Sequence, residues 1–166
     1  MSRALGPLLK TLLFTIVVPG TVAVIVPRYL LRGFPAVKPS ASSALGMIVT
    51  AVGALIYFLC AWEFAVRGLG TPAPIAPTNF LVVGGLHRYV RNPMYIGVAL
   101  VIFGEAILFH SPHVAEYGAL MLLTAHCFVL LYEEPTLRRQ FGDAYEHYLR
   151  TVPRWIPRFT SYRPDV

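Results

Sequence analysis

Two runs without a charged residue constrain this chain more than any other feature: residues 11–27, between Lys10 and Arg28, and residues 44–62, closed by Glu63. About 20 consecutive apolar residues cross the roughly 30 Å of hydrocarbon in a bilayer, so the first run is at the short end and the second is comfortable. Further apolar runs follow at about 94–109 and 112–132. With 56% hydrophobic and 13% charged residues among 166, the whole chain is too apolar for a soluble domain of this size. The formal charge of +6 does not mark a nucleic-acid surface, because the arginines lie between and after the apolar runs. There they read as topology signals.

The spacing predicts an all-α integral membrane protein: a single domain over 1–166, about four transmembrane helices (11–27, 44–62, 94–109 and 112–132) and an amphipathic interfacial helix at about 135–150. A signal peptide competes with the first span. The run has Pro19-Gly20 at its middle and lacks a clear small-x-small cleavage site, so it reads as a kinked transmembrane helix. Arg28 to Ser43 reads as a loop, and Trp62 as an interfacial anchor. Pro72, Pro74 and Pro77 make the 68–85 stretch an extended connection. Ser111-Pro112 reads as the cap and first residue of the fourth helix. In the tail, Trp155, Phe159 and Tyr162 interleave with Arg154, Arg158 and Arg163, like a segment lying on headgroups. With the N-terminus inside, Arg3, Lys10, Arg67, Arg88, Arg91 and the six arginines after residue 134 share the cytosolic side, against Arg28, Arg32 and Lys38 outside. The chain is then a multi-pass protein, of the inner or plasma membrane if bacterial, with its functional face in the cytosol.

The stretch GGLHRYVRNPMYIG, residues 84–97, places cations at a helix mouth. Pro93 suits the first helical position, where its missing amide donor has no intrahelical use, and Asn92 is the expected N-cap. Helices three and four form a hairpin, so Arg91 and Tyr95 return to the membrane face that holds Glu133 and Glu134. A carboxylate pair at a helix C-terminus faces an adverse dipole and calls for compensation, from nearby arginines or from a ligand. A cationic, hydroxyl-rich ligand such as S-adenosylmethionine offers both charge and hydroxyls. Cys60 and Cys127 sit in apolar runs and suggest no disulfide. The His110/His113 spacing has no third ligand nearby, so no metal site is expected. No strand followed by G-x-G-x-x-G supports a soluble dinucleotide fold.

The blocks LVVGGLHRYVRNPMYIG (81–97) and EEPTLRRQFGDAYEHYLRTVPRWIP (133–157) resemble the isoprenylcysteine carboxyl methyltransferase family, integral-membrane enzymes that include the related phospholipid methyltransferases. The family pattern is G-x-Y-x-x-x-R-H-P-x-Y-x-G, then E-E-x-x-L-x-x-x-F-G-x-x-Y-x-x-Y. The resemblance covers roughly the C-terminal half. It implies a small helical membrane methyltransferase whose S-adenosylmethionine pocket uses Asn79, Phe80, Leu81, Val82, His87, Asn92, Pro93, Met94, Tyr95 and Glu133. His87 stands where the family usually has tyrosine, and Asn92 where it often has histidine. Asn79 replaces a histidine of the prenylcysteine enzymes, and Val129 replaces their substrate-contacting arginine.

The reading is S-adenosylmethionine-dependent methyl transfer to a lipophilic small-molecule or lipidated acceptor, isoprenylcysteine carboxyl methyltransferase-like. Membrane lipids surround the site, no nucleic acid is involved, and the oligomeric state is open. Arg91 would hold a cofactor or acceptor carboxylate, Asn92 and Tyr95 would shape the pocket, and Glu133 would hold cofactor hydroxyl or ammonium groups. Arg91 or Arg154 would supply the cation that Val129 lacks. The alternative, N-methylation of a lipid amine, needs a base such as His126 or Glu134. A small transporter or non-catalytic scaffold is a third reading, for which the intramembrane Glu105 would be the functional acid.

Overall fold

The computed structural model describes residues 2–32, 36–66 and 81–163. Every regular element among them is helical. Helix α1 starts as Ser2–Gly20 and runs through a π turn, Thr21–Ile25, into Val26–Leu30. Then come α2 (Ala41–Val66), a 3₁₀ turn (Gly85–Arg88), α3 (Pro93–Leu108) and α4 (Pro112–Phe128). A second π turn, Val129–Glu133, leads into α5 (Glu134–Phe141), and α6 (Asp143–Thr151) follows. Three helical stretches, Thr11–Leu30, Ala41–Ala65 and Pro112–Phe141, are long and apolar enough to cross a membrane, and α3 is a shorter apolar helix. Their outward faces leave Leu13, Ile16, Ile48, Leu55 and Phe58 bare. In a bilayer, lipid covers these side chains, so this is a multi-pass membrane protein.

Helix α3 is the centre of the bundle, burying Gly97, Ala99, Ile102, Gly104, Glu105 and Ala106. Its contact with α2 depends on absent side chains. A Cβ on Gly53 would lie 2.6 Å from the Gly97 carbonyl oxygen, and one on Gly97 would lie 2.9 Å from the Tyr57 amide nitrogen. Backbones in hydrocarbon approach this closely only through small residues. These antiparallel contacts set Pro93 level with about residue 60 of α2. Helix α2 therefore continues roughly 9 Å past the mouth of α3 at 1.5 Å per residue, and that mouth is recessed. Helix α1 is tied to α2 by the Thr15–Tyr57 hydroxyl pair, 2.8 Å, and to α4 by Tyr117, which donates to the Val22 carbonyl at 2.9 Å.

Both π turns precede a proline by two residues. The ring of Pro27 would crowd the carbonyl of Ala23, and the ring of Pro135 that of Leu131, and both carbonyls lie inside the widened turns. The amides of Val26 and Glu134 accordingly bond back five residues, to Thr21 and Val129. In α1 regular helix persists through Pro19-Gly20, and the irregularity falls just beyond it. The fourth helix does not end near Tyr132. It passes through Glu133 and Glu134, so this pair occupies a π turn and the start of α5 rather than a frayed C-terminus.

The expected single interfacial helix over 135–150 is broken at Gly142, whose φ of +53° suits glycine and ends α5. The break turns α6 inward. Tyr145, Tyr148, Val152 and Tyr162 are buried together, packed on Leu81, Val83, Leu137 and Phe141. Most of the 68–85 connection lies outside the described residues.

Candidate active site

The α3/α4 hairpin brings both sequence blocks together at one end of the bundle. Pro93 takes the first position of α3 with Asn92 as its N-cap residue. The Asn92 side chain does not cap the helix; its Nδ2 donates to the Arg154 carbonyl at 3.2 Å. Arg91 points across to Glu134, Nη1 to Oε1 2.8 Å, and the Tyr95 hydroxyl donates to Glu133 Oε2 at 3.1 Å. Arg154 reaches the same Glu134 from the tail, Nε to Oε1 2.7 Å and Nη2 to Oε2 3.1 Å. Glu134 thus holds two guanidiniums, with its own side chain 5% exposed, Arg91 at 10% and Arg154 at 28%. This two-sided pairing is the compensation a buried carboxylate requires.

The tail does not lie free on a membrane surface. Backbone hydrogen bonds tie it to the first block: Arg91 N–H to the Pro153 carbonyl at 2.9 Å, Arg158 N–H to that of Tyr89 at 2.9 Å, and Tyr162 N–H to that of Arg88 at 3.0 Å. Tyr148 adds a buried bond to the His87 carbonyl, 2.6 Å. Trp155 sets its ring edge-on to Tyr95 and donates its indole N–H to His126 Nδ1 at 3.0 Å. Arg154 and Trp155 therefore clamp the two blocks together. Sequence reading admitted Arg154 only as a stand-in cation and placed Trp155 among headgroup residues. The readable signal was their position next to Val152-Pro153, where the helix stops and the chain turns back.

Arg91, Asn92, Tyr95, Glu133 and Glu134 stand at one end of a cavity of about 570 Å³, within the roughly 300–1,000 Å³ typical of small-molecule sites. At the polar end its wall includes Leu81, Val82, His87, Arg91, Asn92, Pro93, Met94, Tyr95, Glu133 and Glu134. The other end is apolar and reaches between α1 and α4 to Phe14, Val18, Val22, Tyr117 and Met121. Val129 also lines it and is 1% exposed. Of the sequence-predicted residues, His126 is not in this wall and faces Trp155 instead, and Asn79 and Phe80 lie outside the described residues. Glu105 is buried in α3 and is not among the residues of the cavity wall.

Two buried polar atoms in the wall have no protein partner, His87 Nδ1 and Arg91 Nε. Burial pushes the His87 imidazole down to about 4, against a weaker opposing hydrogen bond from the ring to the Gly84 carbonyl, so the ring is neutral near pH 7. Burial likewise pushes the Tyr145 hydroxyl up to about 12, which keeps it a donor rather than a base. The arrangement offers a neutral imidazole, a guanidinium nitrogen and a carboxylate held by one tyrosine hydroxyl, opening on an apolar channel. That set can bind a ligand carrying cationic and hydrogen-bonding groups at one end of the cavity and an apolar molecule at the other.

Among proteins of known activity, the protein-S-isoprenylcysteine O-methyltransferase of Schizosaccharomyces pombe is 33% identical over 79 residues, which are 48% of this chain and 34% of that protein. The match thus spans about a third of the relative's length. No solved structure matches the chain. Residues 41–144, more than half of the chain and all of α2 to α5, match the family model for phospholipid methyltransferase, and the chain belongs to that family.

Proposed function

We propose that this protein is a four-span membrane methyltransferase that draws S-adenosylmethionine from the cytosol and a lipophilic acceptor from the bilayer. The observation that carries this reading is the two-ended cavity, polar at the motif blocks and apolar between α1 and α4. The residues present fit S-adenosylmethionine. His87 Nδ1 and Arg91 Nε are buried without protein partners, and a carboxylate, Glu133, borders the same space. When bound, S-adenosylmethionine supplies an activated methyl group for direct in-line displacement, which requires positioning more than covalent help from the protein.

Each side chain then has a part. Glu133, fixed by Tyr95, offers charge and hydrogen-bond acceptors to the cofactor's ammonium or hydroxyl groups. Arg91 has its Nη1 on Glu134, and its buried Nε, which has no hydrogen-bond partner, is the atom it would offer to the cofactor carboxylate. His87 offers a neutral ring nitrogen. Glu134 acts as an anchor that fixes two arginines, and not as a base. Val129 and the α1/α4 channel exclude water from the reacting end, which strengthens the electrostatic contacts there.

A lipid amine, entering already neutral after giving its proton to water because neither Glu134 nor His126 is placed to take it, is the acceptor favoured over a prenylcysteine carboxylate. Arg91 and Arg154 both bond Glu134, and the position that carries arginine in prenylcysteine enzymes holds buried Val129. A second carboxylate would enter an apolar region without a dedicated cation. The test is transfer of labelled methyl groups in bilayers to a lipid amine and, separately, to a short prenylcysteine analogue, beside Val129→Arg. Label in the amine alone is expected. Robust prenylcysteine methylation by the unmodified protein would reverse the acceptor assignment, and transfer to neither would remove the enzymatic reading.

A further inference from the structure

The tail that pairs with Glu134 and His126 also presents bare apolar side chains. Between Val152, 1% exposed, and Tyr162, 6% exposed, Ile156 is 78% exposed and Phe159 fully so. Their neighbours are anchored: Trp155 to His126, Arg158 through Nη1 to the Thr151 carbonyl at 2.8 Å, and both flanks by backbone bonds to Tyr89 and Arg88. Exposure here is therefore a fixed presentation and not fraying.

Depth identifies what covers these residues. His126 belongs to Pro112–Phe141, one of the stretches able to cross a membrane. Trp155 bonds that histidine, which places the tail at 155 alongside the span, a stretch that itself leaves Leu123 59% and Leu131 80% exposed. Charge agrees, since exposed Arg163 follows at the spacing of a segment that dips into acyl chains and returns to anionic headgroups, while Arg158, between Ile156 and Phe159, has its guanidinium satisfied within the tail by the Thr151 carbonyl and the Thr160 hydroxyl. We infer that residues 152–163 form a strap seated in the lipid leaflet on the side of the site, with Ile156 and Phe159 inserted among acyl chains, and that this seating holds Arg154 and Trp155 in place. Arg154 and Trp155 are then positioning residues whose geometry depends on the bilayer. Burying one large apolar side chain contributes stabilisation of the same order as a surface ion pair or more, enough to bias a short strap.

The experiment needs no methyltransferase activity, so its failure is separate from failure of the proposed reaction. In a Trp62→Phe background Trp155 is the only tryptophan, and its emission reports on the strap in lipid nanodiscs. Adding Phe159→Trp should produce strong extra quenching by acyl-brominated lipids. Adding Ile156→Ser with Phe159→Ser should raise acrylamide quenching of Trp155 about threefold, as expected if the strap, deprived of its seat in lipid, opens locally despite its remaining bonds. Ile156→Leu with Phe159→Leu should restore the original value, which a purely steric effect of substitution would not do. Absence of bromolipid quenching at position 159, or unchanged Trp155 accessibility in the double serine variant, overturns the inference.

Discussion

Glu134→Gln tests the electrostatic centre of the site, because one carboxylate there serves two guanidiniums. The amide keeps the shape and can still accept hydrogen bonds, but it removes the only negative charge bonded to Arg91 and Arg154 among the described residues. The side chains of Glu134 and Arg91 are 5% and 10% exposed, so water replaces little of what is lost, whereas Arg154 at 28% recovers part of its solvation. Breaking a buried pair costs about 3–5 kcal/mol, and the partial exposure of Arg154 puts this case at the lower end, about 3 kcal/mol. By the scaling for chains of this size, that corresponds to a fall on the order of 6–12 °C in the unfolding midpoint. The assay is thermal unfolding of the purified protein in nanodiscs, run as a cycle with Arg154→Met. The double variant should lose much less than the sum of the single losses, since removing both partners leaves less uncompensated charge. A midpoint for Glu134→Gln within a degree or so of the unmodified protein would show that the pairing is solvated and that the reasoning about its burial is wrong.

Three further outcomes follow from other parts of the structure. Gly53→Ala should disrupt the α2/α3 contact, because the new methyl would sit 2.6 Å from the backbone oxygen of Gly97, which cannot rotate away; loss of folded, monodisperse protein in detergent checks this, and a normal yield and midpoint would contradict it. His87 should make stability fall as pH drops: its folded value of about 4 lies below the ordinary 6.5, so the unfolded chain takes up the proton first. Between about pH 6.5 and 4 the loss should reach roughly 3 kcal/mol, absent above that range and constant below it, and His87→Asn should flatten that component in unfolding measured against pH. Gly142→Ala should cost about 1–3 kcal/mol by conformational strain alone, since its φ is +53° and no atom lies within 4 Å of the added methyl; an unchanged unfolding midpoint would show that the break between α5 and α6 does not need glycine.

Much of this architecture is legible in the residue order, and the parts that are not share a physical cause. Apolar runs and the Ser111-Pro112 cap locate helices because they act locally, and Ser111 does accept from the Val114 amide at 3.3 Å. The hairpin argument brings Arg91 and Tyr95 to Glu133 and Glu134 without side-chain detail, and the observed bonds join those pairs. The continuation of α4 through Pro135 was not legible, because a proline ordinarily ends a helix and only the π turn before it relieves the clash. The periodicity of Leu137, Phe141, Tyr145 and Tyr148 reads as one amphipathic helix, yet Gly142 bends the chain so that the same residues line a buried cluster. Arg154 was legible only as a substitute cation and Trp155 not as a site residue at all, because their placement depends on long-range backbone bonds to residues 88–91, which no local pattern encodes.

The central claim is that the polar end of the cavity holds S-adenosylmethionine, and the most direct measurement is calorimetric titration of the protein in nanodiscs with S-adenosylhomocysteine, for the unmodified chain and for Glu133→Gln. The account predicts saturable one-to-one binding, weakened in the variant by about 1.5–3 kcal/mol, the worth of hydrogen bonds to a charged group. Glu133 bonds Tyr95 and not the Arg91–Glu134–Arg154 cluster, so the variant should remain folded. Binding of equal strength in a folded Glu133→Gln protein would remove Glu133 from the site, and no binding by the unmodified protein would contradict the account as a whole.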